Sequence, residues 1–150
     1  MGIIAYALIA KSYLIPALDK YPRNTALLPL VFLHCFRYLG LAFLLPGVVS
    51  ADMAHEFAVP AAYGDFLAAL LALISVIALR NNWAVAIPLV WVFNVVGTLD
   101  LLNALPHGVL FTHAGQFGGA YIIPSLIVPA LLVSHFLIFR LLVKSARSID

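Results

Sequence analysis

Charge is scarce in this chain. Of its 150 residues only 9% are Asp, Glu, Lys or Arg, while 65% are hydrophobic and the mean hydropathy is +1.10. A soluble domain is about 25% charged and about 45–50% apolar, and so short a chain has too little interior to hide this much apolar surface from water. The composition excludes a soluble globular domain, a disordered chain and a nucleic-acid binder, and leaves a polytopic membrane protein. Cysteine is nearly missing as well. Cys35 stands alone, so the sequence holds neither an intramolecular disulfide nor a cysteine-based metal box. There is no Ser-His-Asp order and no metal-ligand spacing, so no catalytic residue and no metal site is expected. Gly115-Gln116-Phe117-Gly118-Gly119 follows no strand and lacks the Lys-Ser/Thr of a phosphate-binding loop. The opening Met-Gly-Ile-Ile has no basic flank or cleavage site, and Tyr6 breaks the myristoylation pattern, so neither a signal peptide nor a lipid anchor is expected.

Long apolar runs are what the chain does have. Four of them, Ala26–Gly47, Ala61–Leu79, Trp83–Leu105 and Tyr121–Val143, are each close to the ~20 residues that carry a helix across ~30 Å of hydrocarbon. Lipid offers the backbone no hydrogen-bond partners, so these runs must be helical. A fifth run, Gly2–Leu18, is marginal in length and contains Lys11 and Pro16. On a helical projection Lys11 falls among Ile4, Leu8 and Ile15, which argues against a helix lying flat on the membrane. The expectation is a short fifth span with Lys11 turned into the bundle, with a re-entrant segment as the alternative. The fold class is therefore an all-α transmembrane bundle forming a single integral domain over residues 1–150.

The connections give sidedness. Lys20 and Arg23 occupy the first link, Arg80 the third, and Arg140, Lys144 and Arg147 the C-terminal end, whereas the links at 50–60 and 106–120 hold no Lys or Arg. The positive-inside rule places the first and third links and the C-terminus in the cytoplasm of a bacterial-type inner membrane.

Few polar residues fall inside the runs, and they draw the attention. Arg37 lies about 12 residues into its run, near the bilayer midplane, where insertion of an Arg costs about 2.5–3.5 kcal/mol. It does not readily lose its proton, so it needs a partner. His34, Arg37, Tyr38 and Leu41 share a face by α-helical spacing. In the next run Ala61, Asp65, Ala68, Ala72 and Ser75 recur at spacings of 4 and 3, a seam of small residues that turns Asp65 toward another helix. The third run holds Asn94, Gly97, Asp100 and Asn103, with Asn94, Gly97, Leu101 and Ala104 as its seam and Asp100 to one side. Two cations, Lys11 and Arg37, face two carboxylates, Asp65 and Asp100. The expectation is a polar pocket in the outer half of the bundle with Arg37 at its floor. Tyr38, Asn94 and Asn103 would be further ligand-binding groups, and His55, Glu56, His107 and His113 would rim the mouth. His34 and His135 lie at similar depth on two helices, the placement that two haem b ligands would need, although structural histidines fit the same positions. Pro124 and Pro129 should kink the last span.

The stretch Arg37-Tyr38-Leu39-Gly40-Leu41-Ala42-Phe43-Leu44-Leu45-Pro46-Gly47 resembles the opening helix of DoxX-type small bacterial membrane proteins, in which an Arg precedes a Gly-containing apolar helix that ends near a Gly. The resemblance extends at most over residues 34–143. It implies a small multi-pass membrane subunit or accessory protein, sometimes beside quinone-linked oxidoreductases, and assigns no functional residues. The extra N-terminal segment and the lack of paired cysteines depart from that pattern.

One function leads and three alternatives stand beside it. The leading one is a non-enzymatic membrane protein whose pocket around Arg37 binds a small ligand or lipid head group. The second is a haem- or quinone-associated subunit of a redox complex using His34 and His135. The third is a proton-coupled transporter or channel using Asp65 and Asp100. The fourth is an accessory subunit whose polar groups only mediate packing. Membrane lipids are the expected surroundings, with a homo-oligomer or larger membrane complex left open.

Overall fold

Backbone groups that lipid cannot satisfy must be paired within the chain, and the architecture meets that demand with helices. The computed structural model describes residues 1–146. Five helical segments succeed one another: α1 (Gly2–Leu18), α2 (Arg23–Leu44), α3 (His55–Arg80), α4 (Ala86–Phe111) and α5 (Ile123–Lys144). A 3-10 segment, Ala114–Tyr121, lies between α4 and α5. The last four helices are long and apolar enough to cross a membrane, and α1 is a shorter apolar helix beside them. The protein is an all-α, multi-pass membrane bundle.

Two of the helices outrun the apolar runs that announced them. α3 begins at His55 and α4 continues to Phe111, carrying Pro60 and Pro106 inside them. Glu56 in the first turn of α3 complements the positive end of the helix dipole, and Arg80 in its last turn the negative end. The turn into α4 is tight. Asn82 takes a positive φ of 51°, which asparagine tolerates better than most residues.

The small-residue seam of α3 is buried as expected: Ala61, Asp65, Ala68, Ala72 and Ser75 all face the interior. They let α3 approach α2 and α4 closely, which is how helices associate where no hydrophobic force separates protein from lipid. Two apolar clusters result. One, at the cation-bearing end, includes Leu27, Val31, Leu79, Phe93, Leu137 and Ile138. The other, at the cation-free end, is built on Phe43, Met53, Phe57, Phe117 and Ile123. The buried polar residues His34, Arg37, Asp65, Asn94 and His135 lie between them in sequence register.

α1 runs beside α5 in the same direction. Gly2 sits against Pro129, where a Cβ would lie 3.2 Å from the proline ring, and Asp19 meets Arg140 and Lys144 at the other end. Here the structure corrects an expectation. Lys11 does not face the bundle but is exposed. α1 packs through Gly2, Tyr6, Ala10 and Leu18, and a π-helical turn over Ala10–Leu14 shifts its phase. Ile4 and Leu8, on the same side as Lys11, are 62% and 60% exposed.

Arg140 grips Asp19 with both terminal nitrogens at 2.8 Å, and Lys144 adds a contact at 3.2 Å. These hydrogen bonds, that from Arg140 foremost, hold the Asp19 carboxyl at about 2, below its ordinary 3.8. Because the folded value is the lower one, the stabilisation is complete above about pH 4 and is lost as the pH falls toward 2. Asp19→Asn should therefore lower the melting temperature by a few degrees at most at pH 7, since partly exposed ion pairs contribute little. The difference from the parent should vanish in melts recorded near pH 2.

Candidate functional site

Arg37 reaches the centre of the bundle because α2 changes its winding. The helix is α up to Cys35 and 3-10 from Phe36 to Leu44. Three residues per turn place His34, Arg37, Gly40 and Phe43 on one line, and all four are buried. The same winding corrects the α-helical expectation for Tyr38, which turns outward and is 48% exposed.

The Arg37 side chain is fully enclosed and spans three helices. Its Nε donates to Asp65 Oδ1 of α3 at 2.7 Å, and its Nη2 donates to Asp100 Oδ2 of α4 at 2.6 Å. Nη1 donates to the Gly97 carbonyl at 3.0 Å and lies 3.3 Å from His135 Nε2 of α5. Of the five N–H groups a guanidinium carries, these contacts engage four. His135 is oriented from behind. Its Nδ1 lies 2.7 Å from Asn94 Oδ1, while Asn94 Nδ2 donates to the His135 carbonyl at 3.2 Å. An amide oxygen only accepts, so Nδ1 carries the proton and Nε2 offers its lone pair to Arg37. Asn94 is therefore an orienting group, on the same helix as Asp100 but separated from Arg37 by the His135 ring.

Three glycines make room for these side chains. A Cβ at Gly97 would stand 2.9 Å from Arg37 Nη1, one at Gly40 would strike the Asp65 carboxylate, and one at Gly64 would strike Asp100. Charged groups thus pack directly against helix backbone, the close approach that glycine permits. Gly40 and Gly64 carry no signal of this in the sequence, because their role depends on which carboxylate lies opposite.

Above the ion pairs, toward the cation-free end, lies a cavity of about 260 Å³. Asp65 and Asp100 line it, and Phe43, Phe57, Phe117 and Tyr121 contribute aromatic surface. Phe43, Phe57 and Phe117 pack edge to face, with centroids 5.3–6.0 Å apart. The 3-10 segment that carries Phe117 and Tyr121 is fastened to the 48–52 loop. Gly119 N–H donates to the Val48 carbonyl at 2.9 Å, Ser50 N–H to the Gln116 carbonyl at 2.8 Å, and Gln116 Nε2 to the Asp52 carbonyl at 3.0 Å. Arg37 itself does not line the cavity; it lies beneath the two carboxylates.

The expected residues divide accordingly. Arg37, Asp65, Asp100 and Asn94 come together with His135. Lys11, Tyr38 and Asn103 do not: Asn103 is exposed, about 200° around α4 from buried Leu101. None of the expected rim residues His55, Glu56, His107 and His113 lines the cavity. His113 and Gln116 form a capping box on the 3-10 segment, and His107 Nδ1 bonds its own helix at the Asn103 carbonyl. The cavity wall at that end is made instead by Thr112, Ala114 and Tyr121.

The two histidines do not fit a haem. Their rings lie 4.1 Å apart, centroid to centroid, with no width for an iron and a macrocycle between them. Each Nε2 is already directed elsewhere, that of His34 to Ser134 Oγ at 3.2 Å and that of His135 to Arg37. A quinone head group would need donors facing its carbonyl oxygens, and the polar groups at the cavity floor are carboxylates. Among the described residues there is no cluster of three or more His, Cys, Asp or Glu that could hold a metal.

A family model described as "Domain of unknown function (DUF8737)" matches residues 1–143, the N-terminal helix included. Nothing in that match ties the chain to DoxX-type proteins, so the resemblance reduces to the shared class of small multi-pass membrane protein. No curated protein and no solved structure matches the chain.

Proposed function

We propose that this chain, which belongs to the DUF8737 family, is a small-ligand-binding protein of a bacterial-type inner membrane. It acts without catalysis, on its own or as an accessory subunit. The observation that carries this reading is the cavity of about 260 Å³ that ends on Asp65 and Asp100, themselves tied to Arg37. A concave apolar site with a few convergent polar groups is the usual form of a ligand pocket, and ionised groups at membrane depth are costly and rare, so that where they occur they commonly mark a functional site. The alternation of cations along the chain supports a cytoplasmic C-terminus, which turns the cavity toward the outside. In this reading Arg37 does not meet the ligand. It holds the two carboxylates at the floor, with His135 and Asn94 fixing its orientation.

Native mass spectrometry of protein extracted in mild detergent tests the reading. The parent should carry a small-molecule or lipid adduct, and Ala104→Phe, which fills the cavity from α4, should lose it. Identical bare-chain spectra from both would contradict it.

One observation favours proton or ion movement as a second reading. Polar side chains run from the cavity floor through Arg37 to His135, and the ring of His34, which bonds Ser134, lies beside that of His135 at 4.1 Å, tilted by 45° and without a hydrogen bond between them. Liposome flux abolished by Asp65→Asn or Asp100→Asn would support it, and flux indifferent to both would dismiss it.

A further inference from the structure

The charge around the cavity floor does not balance. One guanidinium faces two carboxylates, and Lys11, the other cation expected nearby, is exposed on α1. Because Nε2 of His135 faces an N–H of Arg37 and so keeps its lone pair, that ring adds no charge, and the cluster carries a surplus of one negative charge when both acids are ionised. Each carboxylate gives one oxygen to Arg37, and among the described residues the other oxygen, Asp65 Oδ2 or Asp100 Oδ1, accepts no hydrogen bond. Asp65 is only 6% exposed, yet it lines the cavity. An unbalanced carboxylate pair in an apolar setting takes up either a proton or a cation.

The walls point the same way. Phe43, Phe57, Phe117 and Tyr121 form one continuous aromatic wall beside the space above the acids. Aromatic faces attract cations whose charge is spread over alkyl groups. Ionised carboxylates are acceptors only, which disfavours an anion or a carbonyl compound at this floor. A volume of about 260 Å³ suits a small molecule.

We infer that the cavity selects a small apolar monocation of the alkylammonium class, its charged end over Asp65 and Asp100 and its apolar groups against the three phenylalanines and Tyr121. This rests on the reading of the cavity as a ligand site and adds the class of ligand.

Benzyltrimethylammonium and its uncharged isostere neopentylbenzene separate the two claims. Each would be titrated by ligand-observed NMR into the full chain in phosphatidylcholine nanodiscs, with empty nanodiscs subtracted for partition into lipid. The cation should bind the parent at least about tenfold more tightly than the isostere. Asp100→Asn, which keeps an oxygen for Arg37 but removes the surplus charge, should bring the ratio close to one. Asp65→Asn should do the same if Asp100→Asn fails to fold. Equal binding of the two probes to the parent, or tighter binding of the anion benzenesulfonate, would overturn the inference and leave the cavity a ligand site. Binding of no probe to the parent, with Ala104→Phe indistinguishable from it, would overturn both readings.

Discussion

Replacing Arg37 with leucine should destabilise the bundle by about 3–5 kcal/mol, the range seen when one partner of a buried ion pair is removed. The loss does not come from the guanidinium contacts alone. Asp65 and Asp100 line an apolar cavity, and without Arg37 neither keeps a cation. His135 Nε2 and the Gly97 carbonyl also lose a donor. The sign can be checked by removing the stranded charges as well. The triple variant Arg37→Leu, Asp65→Leu, Asp100→Leu should recover most of the stability, because an apolar replacement of a whole buried charge cluster is often neutral or better. Thermal unfolding in mild detergent compares the three proteins. A single variant that melts like the parent would show that the carboxylates are not held by Arg37.

Gly64→Ala should cost about 1–3 kcal/mol, the usual range for an overpacked contact. Alanine is the better helix former by about 1 kcal/mol, so at an open position this change would stabilise α3. Here the added Cβ would strike Asp100, which would have to turn away and give up its 2.6 Å contact with Arg37. The two contributions separate in an Asp100→Ala background, where the obstacle is gone. There Gly64→Ala should be neutral or slightly stabilising. A double-mutant cycle on melting data that showed the same loss in both backgrounds would mean that Gly64 is needed for another reason.

Much of this arrangement could be read from the residues. Hydropathy alone places four long helices, because a long apolar run with a single charge has few other ways to be solvated. The alanine seam of α3 turned Asp65 inward, and the depth of Arg37 demanded an acidic partner. The misplaced residues differ in cause. Tyr38 turns outward because α2 winds as a 3-10 helix beyond Cys35, which rotates the downstream side chains by tens of degrees. Lys11 does share a face with Ile4 and Leu8, but α1 packs through Gly2, Tyr6 and Ala10 on the other side, and hydrophobic patterning does not tell the two apart when every face is apolar. Asn103 has a different cause: it sits on the lipid-facing side of a helix whose polar residues looked like one group. The cavity was beyond reach because its wall includes Phe117 and Tyr121, which depend on how the 114–121 segment folds back onto the 48–52 loop.

The contact between Arg37 and its two carboxylates can be measured in the membrane itself. Magic-angle-spinning NMR of protein labelled with ¹⁵N-arginine and ¹³C-aspartate in lipid bilayers reports dipolar coupling between guanidinium nitrogen and carboxylate carbon. Coupling from Arg37 Nε to the Asp65 carboxyl and from Nη2 to the Asp100 carboxyl, both at hydrogen-bonded separation, is the expected result. An Arg37 guanidinium coupled to water or acyl-chain protons, with neither carboxylate in range, would contradict it.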